Sequence, residues 1–180
     1  MDYAEITARA DAIAEQPMLV PDPAVVEAAM AAPDRVRGLV GIDNFQQVNF
    51  KVTPEMLESA ATPATKALIF VSPSNPSGAV YPRDEIEAIG RWALEHGVIV
   101  ITDEIYEHLT YGNHEFSSMP TLVPDLAEQC IIVNGVAKTF AMTGWRLGYG
   151  IWPEATVDAV RGLITVDHSC VNVAAQMAGL

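Results

Sequence analysis

Cysteine is scarce in this sequence: Cys130 and Cys170 are its two cysteines, and they form neither a CxxC pair nor a metal-ligand spacing. That speaks against a disulfide-stapled secreted scaffold, so both thiols are expected to be reduced in a cytoplasmic protein. Long apolar runs are missing as well. Stretches such as Ala67–Val71 and Val98–Ile101 are far too short to cross a bilayer, and no basic segment precedes an apolar one after Met1, so neither a membrane span nor a signal peptide is expected. Positive charge is the third shortage. Ten Lys and Arg face 23 Asp and Glu, a net charge of −13, which argues against nucleic acid and anionic membrane surfaces as partners. The histidines His96, His108, His114 and His168 show no HExxH or comparable spacing, so no metal site is expected. Gly144, Gly148 and Gly150 do not make the GxGxxG of a dinucleotide fold, and no GxxxxGK[ST] phosphate loop occurs.

What the sequence does hold is apolar: half of its 180 residues, enough for one ordinary domain with a sizeable core. Residues 4–15 and 23–31 are alanine-rich and read as helices, the second following Pro21-Asp22-Pro23. Residues 33–49 carry weak periodicity and read as loop with room for short strands. Thr53-Pro54-Glu55 then has the form of a helix start, with Thr53 as N-cap and Pro54 at the first helical position. The nearly continuous apolar run Lys66–Val71 predicts a strand buried on both faces. A dense turn cluster, Ser72–Gly78, follows it. Ile86, Ile89, Ala93 and Leu94, with Trp92 beside them, predict a helix closed by Gly97. Val98–Thr102 predicts a second strand, Ile131–Val133 a third and Leu147–Ile151 a fourth, with Pro153 opening a further helix. Buried strands alternating with amphipathic helices give the fold class: α/β, three-layered, with a mainly parallel sheet and flanking helices.

In such sheets ligands bind beyond the carboxyl ends of the strands. Three strand ends here carry polar chemistry: Asn75-Pro76 after the first, Asp103 and Tyr106 after the second, Lys138 and then Arg146 after the third. Taken singly, each has an ordinary structural reading. An Asp after a strand is commonly a turn residue, Asn-Pro is a turn signal, and a lone Lys or Arg is commonly a solvated surface charge. Residue type alone therefore indicates a polar site at the sheet edge and no more.

Order and spacing say more. Ser74-Asn75-Pro76-Ser77-Gly78, Thr102-Asp103-Glu104-Ile105-Tyr106 and the segment from Asn134 through Lys138 to Thr143-Gly144-Trp145-Arg146 together resemble the class I/II aminotransferases. These are pyridoxal-phosphate (PLP) enzymes of the aspartate aminotransferase type. The resemblance runs from about Asn49 to the C-terminus, so residues 49–180 are expected to be part of a fold-type I large domain, and residues 1–48 form a poorly matched N-terminal segment.

The resemblance implies roles. Lys138 would form the internal aldimine with PLP and then serve as the general acid/base, which requires an amine whose pKa is lowered by burial and nearby cationic groups. Asp103 would pair with the pyridine nitrogen and keep it protonated, Asn75 and Tyr106 would hydrogen-bond the 3′ oxygen, and Arg146 would fork onto the phosphate. The Asn75–Pro76 bond would be cis. Trp145 and Tyr149 fit the motif but read as packing residues. The implied reaction is amino transfer between an α-amino acid and a 2-oxo acid, in a homodimer. The alternatives are a PLP lyase catalysing β-elimination on the same scaffold, and a non-catalytic family fragment or regulatory module. The pattern departs from the family upstream of Asn49, where the phosphate loop and the ring-stacking aromatic have no match, and in lacking the small C-terminal domain with its substrate-carboxylate arginine.

Overall fold

A computed structural model describes residues 50–167 and 169–179. The helices expected over 4–15 and 23–31, and the segment 1–48 generally, lie outside the described residues. Helix α1, Pro54–Ala60, starts as its sequence dictates: the Thr53 hydroxyl accepts from the Met56 N–H at 3.4 Å, and Pro54 occupies the first turn, where no N–H is needed. Strand β1 is Ala67–Val71. The Ser72–Gly78 turns follow, and then helix α2, Arg83–Glu95, which buries Ile86, Ile89, Trp92 and Ala93 along one face. Gly97, at φ +62°, ends α2: its N–H bonds the Leu94 carbonyl and the Val98 N–H bonds the Ala93 carbonyl. This is the paired-bond helix stop that needs a left-handed residue, for which glycine bears least strain.

Strand β2, Ile99–Asp103, lies parallel to β1 with Phe70 opposite Thr102 and Val71 opposite Asp103. After the short helix α3, Met119–Leu122, and the 3-10 helix Pro124–Gln129, strand β3, Cys130–Gly135, pairs parallel to β2. Strand β4, Gly148–Ile151, closes the order β1-β2-β3-β4 and runs antiparallel to β3. Helices α4, Val157–Asp167, and α5, Val173–Ala178, follow. The α/β class with a mainly parallel sheet is therefore what the chain adopts.

One core holds this together. Phe70, Val100 and Cys130 from the sheet meet Ile86, Ile89 and Trp92 of α2, with Met119, Val123 and Leu126 closing one side. Full burial of an Ile or Leu stabilises by about 1.5–3 kcal/mol, so this cluster is the main source of cohesion. The expectation that the strands are covered on both faces is corrected. Successive side chains point to opposite faces, and where Phe70, Val100 and Thr102 are buried, Ile69 is 55% and Ile99 43% exposed. The α2 side of the sheet is closed, and the opposite face is covered only in part: Ile131 is buried there while Ile69 and Ile99 are exposed.

Candidate active site

The three loaded turns leave the same edge of the sheet because β1, β2 and β3 are parallel and in register. In the first turn, the Ser72 hydroxyl accepts from the Tyr81 N–H, the Ser74 N–H bonds the Ala79 carbonyl, and both Ser72–Pro73 and Asn75–Pro76 are cis, the second as expected. Asn75 is exposed at its tip. In the second, the carboxylate of Asp103, the last residue of β2, accepts from the Ile105 N–H at 3.1 Å. That bond folds the chain into a tight turn that presents Tyr106. In the third, the Asn134 side chain accepts from the Gly135 N–H at 2.7 Å, and the loop beyond Val136 carries Lys138.

Three of the five expected site residues come together. The Asn75 amide nitrogen lies 3.5 Å from the Tyr106 hydroxyl, and the Lys138 ammonium sits 5.6 Å from the centre of the Tyr106 ring. Asn75 and Tyr106 thus place two hydrogen-bond donors at one point, with an amine over the same ring. Asp103 holds the end of the neighbouring strand, between Val71 and Val133 in the register. Arg146 stands apart. It adopts φ +52°, donates to the Thr143 carbonyl at 3.1 Å, and lines a cavity of about 700 Å³ with Trp145, Cys170, Val171 and Asn172.

Two expectations are corrected. Lys138 is exposed instead of buried, with its ammonium beside the Tyr106 ring. Trp145 and Tyr149 are 47% and 51% exposed instead of forming core, since β4 is an edge strand of the sheet.

The structure also shows polar anchors that residue-by-residue reading passed over. Glu104, 4% exposed, accepts from the Ser118 hydroxyl at 2.9 Å and the Thr102 hydroxyl at 3.3 Å. Burial pushes its carboxyl pKa up, and these hydrogen bonds partly offset that rise. Glu107 accepts from the Asn134 amide at 2.9 Å. The signal for Glu104 was a carboxylate directly after a strand and next to Asp103. Nothing local distinguished Glu107.

The donor set fits PLP at its ring end. Paired donors suit an oxyanion, a carboxylate at the adjacent strand end suits a protonated ring nitrogen, and an amine stands over the tyrosine that supplies one donor. An arginine fork is the usual partner of a phosphate, and Arg146 supplies one.

Comparison with known proteins agrees. The pattern of the family "aminotransferase class I and II" matches residues 6–179. An aspartate aminotransferase of Streptomyces avermitilis is 54% identical over 141 residues, covering 77% of this chain and 34% of the relative. That of Geobacillus stearothermophilus is 42% identical over 170 residues, 94% of this chain and 42% of the relative. Among solved structures, the aromatic aminotransferase of Pyrococcus horikoshii superposes with a TM-score of 0.71 at 36% identity, over 74% of this chain and 36% of that one. The chain thus spans well under half the length of these relatives. With three motif-bearing turns on one sheet edge and a family match along nearly its whole length, the chain belongs to the class I and II aminotransferases.

Proposed function

We propose that this chain carries the lysine face of a PLP-dependent aminotransferase that moves an amino group between an α-amino acid and a 2-oxo acid. The observation that supports it best is the convergence of Asn75, Tyr106 and Lys138 beyond the parallel strands. Bound PLP supplies an electron sink for the negative charge left when the substrate α-carbon loses its proton. The rest is protein chemistry. Asp103 would pair with the pyridine nitrogen, and Asn75 and Tyr106 would donate to the 3′ oxygen. Lys138 would hold the aldehyde end and is the amine placed to take up the substrate α-proton. Arg146 would meet the phosphate through its guanidinium.

Residues 49–180 then serve as part of a large domain. A homodimer suits the exposed apolar row Leu163, Ile164 and Val166 on α4, and the cytoplasm suits two unpaired thiols. The test is the visible absorption of the purified chain with added PLP, before and after borohydride, beside Lys138→Ala. A band that borohydride fixes onto Lys138, and that the variant lacks, is the expected outcome. PLP that separates freely on desalting, with nothing fixed, would leave the chain an inactive family fragment. Keto acid and pyridoxamine phosphate as products, rather than ammonia and an eliminated fragment, would separate transfer from β-elimination.

A further inference from the structure

The three residues that converge at the sheet edge come from separate loops, so something must set the loops in register. Backbone pairing does this up to the strand ends and stops there: the last cross-strand bond runs from the Glu104 N–H to the Val133 carbonyl at 2.9 Å. Beyond it, Tyr106 lies on a turn closed by the Glu107 N–H on the Glu104 carbonyl and the Leu109 N–H on the Tyr106 carbonyl. Lys138 lies in a different loop, past the end of β3.

Among the described residues, one side-chain hydrogen bond crosses between these two segments. Asn134, 7% exposed, donates from its amide to Glu107 at 2.9 Å while its carbonyl oxygen accepts from the Gly135 N–H at 2.7 Å. Both ends of that amide are thereby used, which fixes its orientation. Gly135 is closely surrounded: a Cβ there would meet the Leu147 carbonyl at 3.0 Å, Gly148 at 3.1 Å and the Ile105 side chain at 3.3 Å, so Ile105 packs across the same seam as the bond. Glu107 is half-buried; His108, exposed, lies 3.6 Å from it, and Glu104 and Tyr149 are near enough to feel its charge. The opposite side of the same turn is pinned by the buried Glu104 on Ser118 and Thr102. Glu104 therefore ties the turn to the body of the domain, and Glu107 ties it to the lysine loop.

We propose that Glu107 is a positioning residue: through Asn134 it sets the turn bearing Asp103 and Tyr106 in register with the loop bearing Lys138. It touches neither substrate nor cofactor in this reading. The inference rests on the proposed function for its consequence and on the protein's own geometry for its cause, and the two are tested separately.

Glu107→Ala removes the acceptor. Glu107→Gln keeps a carbonyl oxygen in the same place and should restore the bond without the charge. The first readout needs no cofactor: amide hydrogen exchange of the full chain. Glu107→Ala should speed exchange about tenfold at both ends of the tie, in 105–109 and in 134–138, leaving α2 unchanged, and Glu107→Gln should return both to within about twofold of the parent. The second readout is PLP retention with borohydride fixation at Lys138. Glu107→Ala should retain PLP about tenfold more weakly and shift the pH midpoint of its visible band, with Glu107→Gln again near the parent.

Unchanged exchange in both segments overturns the tie. Changed exchange in 105–109 alone also overturns it, because the turn would then be acting by itself. If the parent chain fixes no PLP, the proposed function fails while the exchange result still decides the register claim. Paired loss of protection, restored by Glu107→Gln, upholds it.

Discussion

From Val52 to Val136 the side chains close over one another; from Ala141 to Gly179 they largely do not. Ile86, Ile89, Val100 and Leu126 in the first region are all at most 1% exposed. In the second, β4 is exposed along its length, no residue of α4 is buried, and Leu163, Ile164 and Val166 are each near half-exposed. Both regions are rich in apolar residues, so composition does not separate them; partners do. The first has a helix laid along a sheet face, whereas Leu163, Ile164 and Val166 of α4 remain open to solvent over about half their surface. The candidate site straddles this boundary. Asn75, Asp103 and Tyr106 spring from the closed region, Lys138 stands at its margin, and Arg146 belongs to the open one. In the proposed reading, the residues that would meet the cofactor ring thus rest on the closed region, and the arginine that would meet its phosphate rests on a loop bonded to itself.

The contrast should be sharpest in the thiols. Cys130 lies in the closed core, where burial pushes its pKa up to about 12, and Cys170 lies exposed in the open region. The thiolate is the reactive form, so against an ordinary thiol of pKa ~8.5 a value near 12 leaves about a thousandfold less of it at pH 8. A disulfide reagent should modify one equivalent quickly, at Cys170, and the second only when denaturant is added. Two fast equivalents would mean that the core around Cys130 opens readily and that the two regions differ less than their burial implies.

The next effect is on stability. Ile89 is fully buried under the sheet, and Ile89→Ala should cost about 2–5 kcal/mol through lost burial and the cavity left behind. Leu163 on α4 is 51% exposed, and Leu163→Ala should stay within about 0.5 kcal/mol. Urea unfolding midpoints of the two variants check this. A large loss at Leu163 would reveal a partner for α4, most simply a second copy of the chain, and that loss would then depend on protein concentration.

The same boundary marks how far sequence reading carried. The closed region was legible because its signals are local: a Thr-Pro-Glu helix start, a 3.6-residue stripe ending in glycine, and β-branched runs bounded by turns. Each strand fell within two residues of its expected ends, the third running on to Gly135. The site residues were legible because their motifs come in order, each after a strand. What escaped is non-local. Whether Ile69 is covered depends on which elements lie across the sheet, and the run Lys66–Val71 reads alike whether one face or both are met. Lys138 was expected to be buried because its chemistry asks for it, yet burial depends on neighbours that the local sequence does not name. The Glu107–Asn134 bond spans 27 residues and leaves no mark on either segment alone.

The smallest effect concerns the joint between core and site. Glu104 has its carboxyl pKa raised above the ordinary carboxylate value chiefly by burial, with the Ser118 and Thr102 hydrogen bonds opposing that and the charge of Glu107 adding to it. The folded chain therefore holds this proton to a higher pH than the unfolded chain does. The resulting contribution is fully present below the unfolded value of ~4.3 and is lost as pH rises through the raised folded value. Glu104→Gln carries no titrating proton, keeps an acceptor for Ser118, and should lack that component. Plotted as urea midpoints from pH 4 to pH 8, the parent should lose ground to Glu104→Gln as pH rises, most steeply just above the ordinary carboxylate range. Parallel curves would mean that the folded and unfolded chains hold this proton alike, the Ser118 and Thr102 hydroxyls returning to the carboxylate what burial takes from it. A parent that gained on Glu104→Gln with rising pH would mean that those donors outweigh burial and that the joint is held by a buried charge.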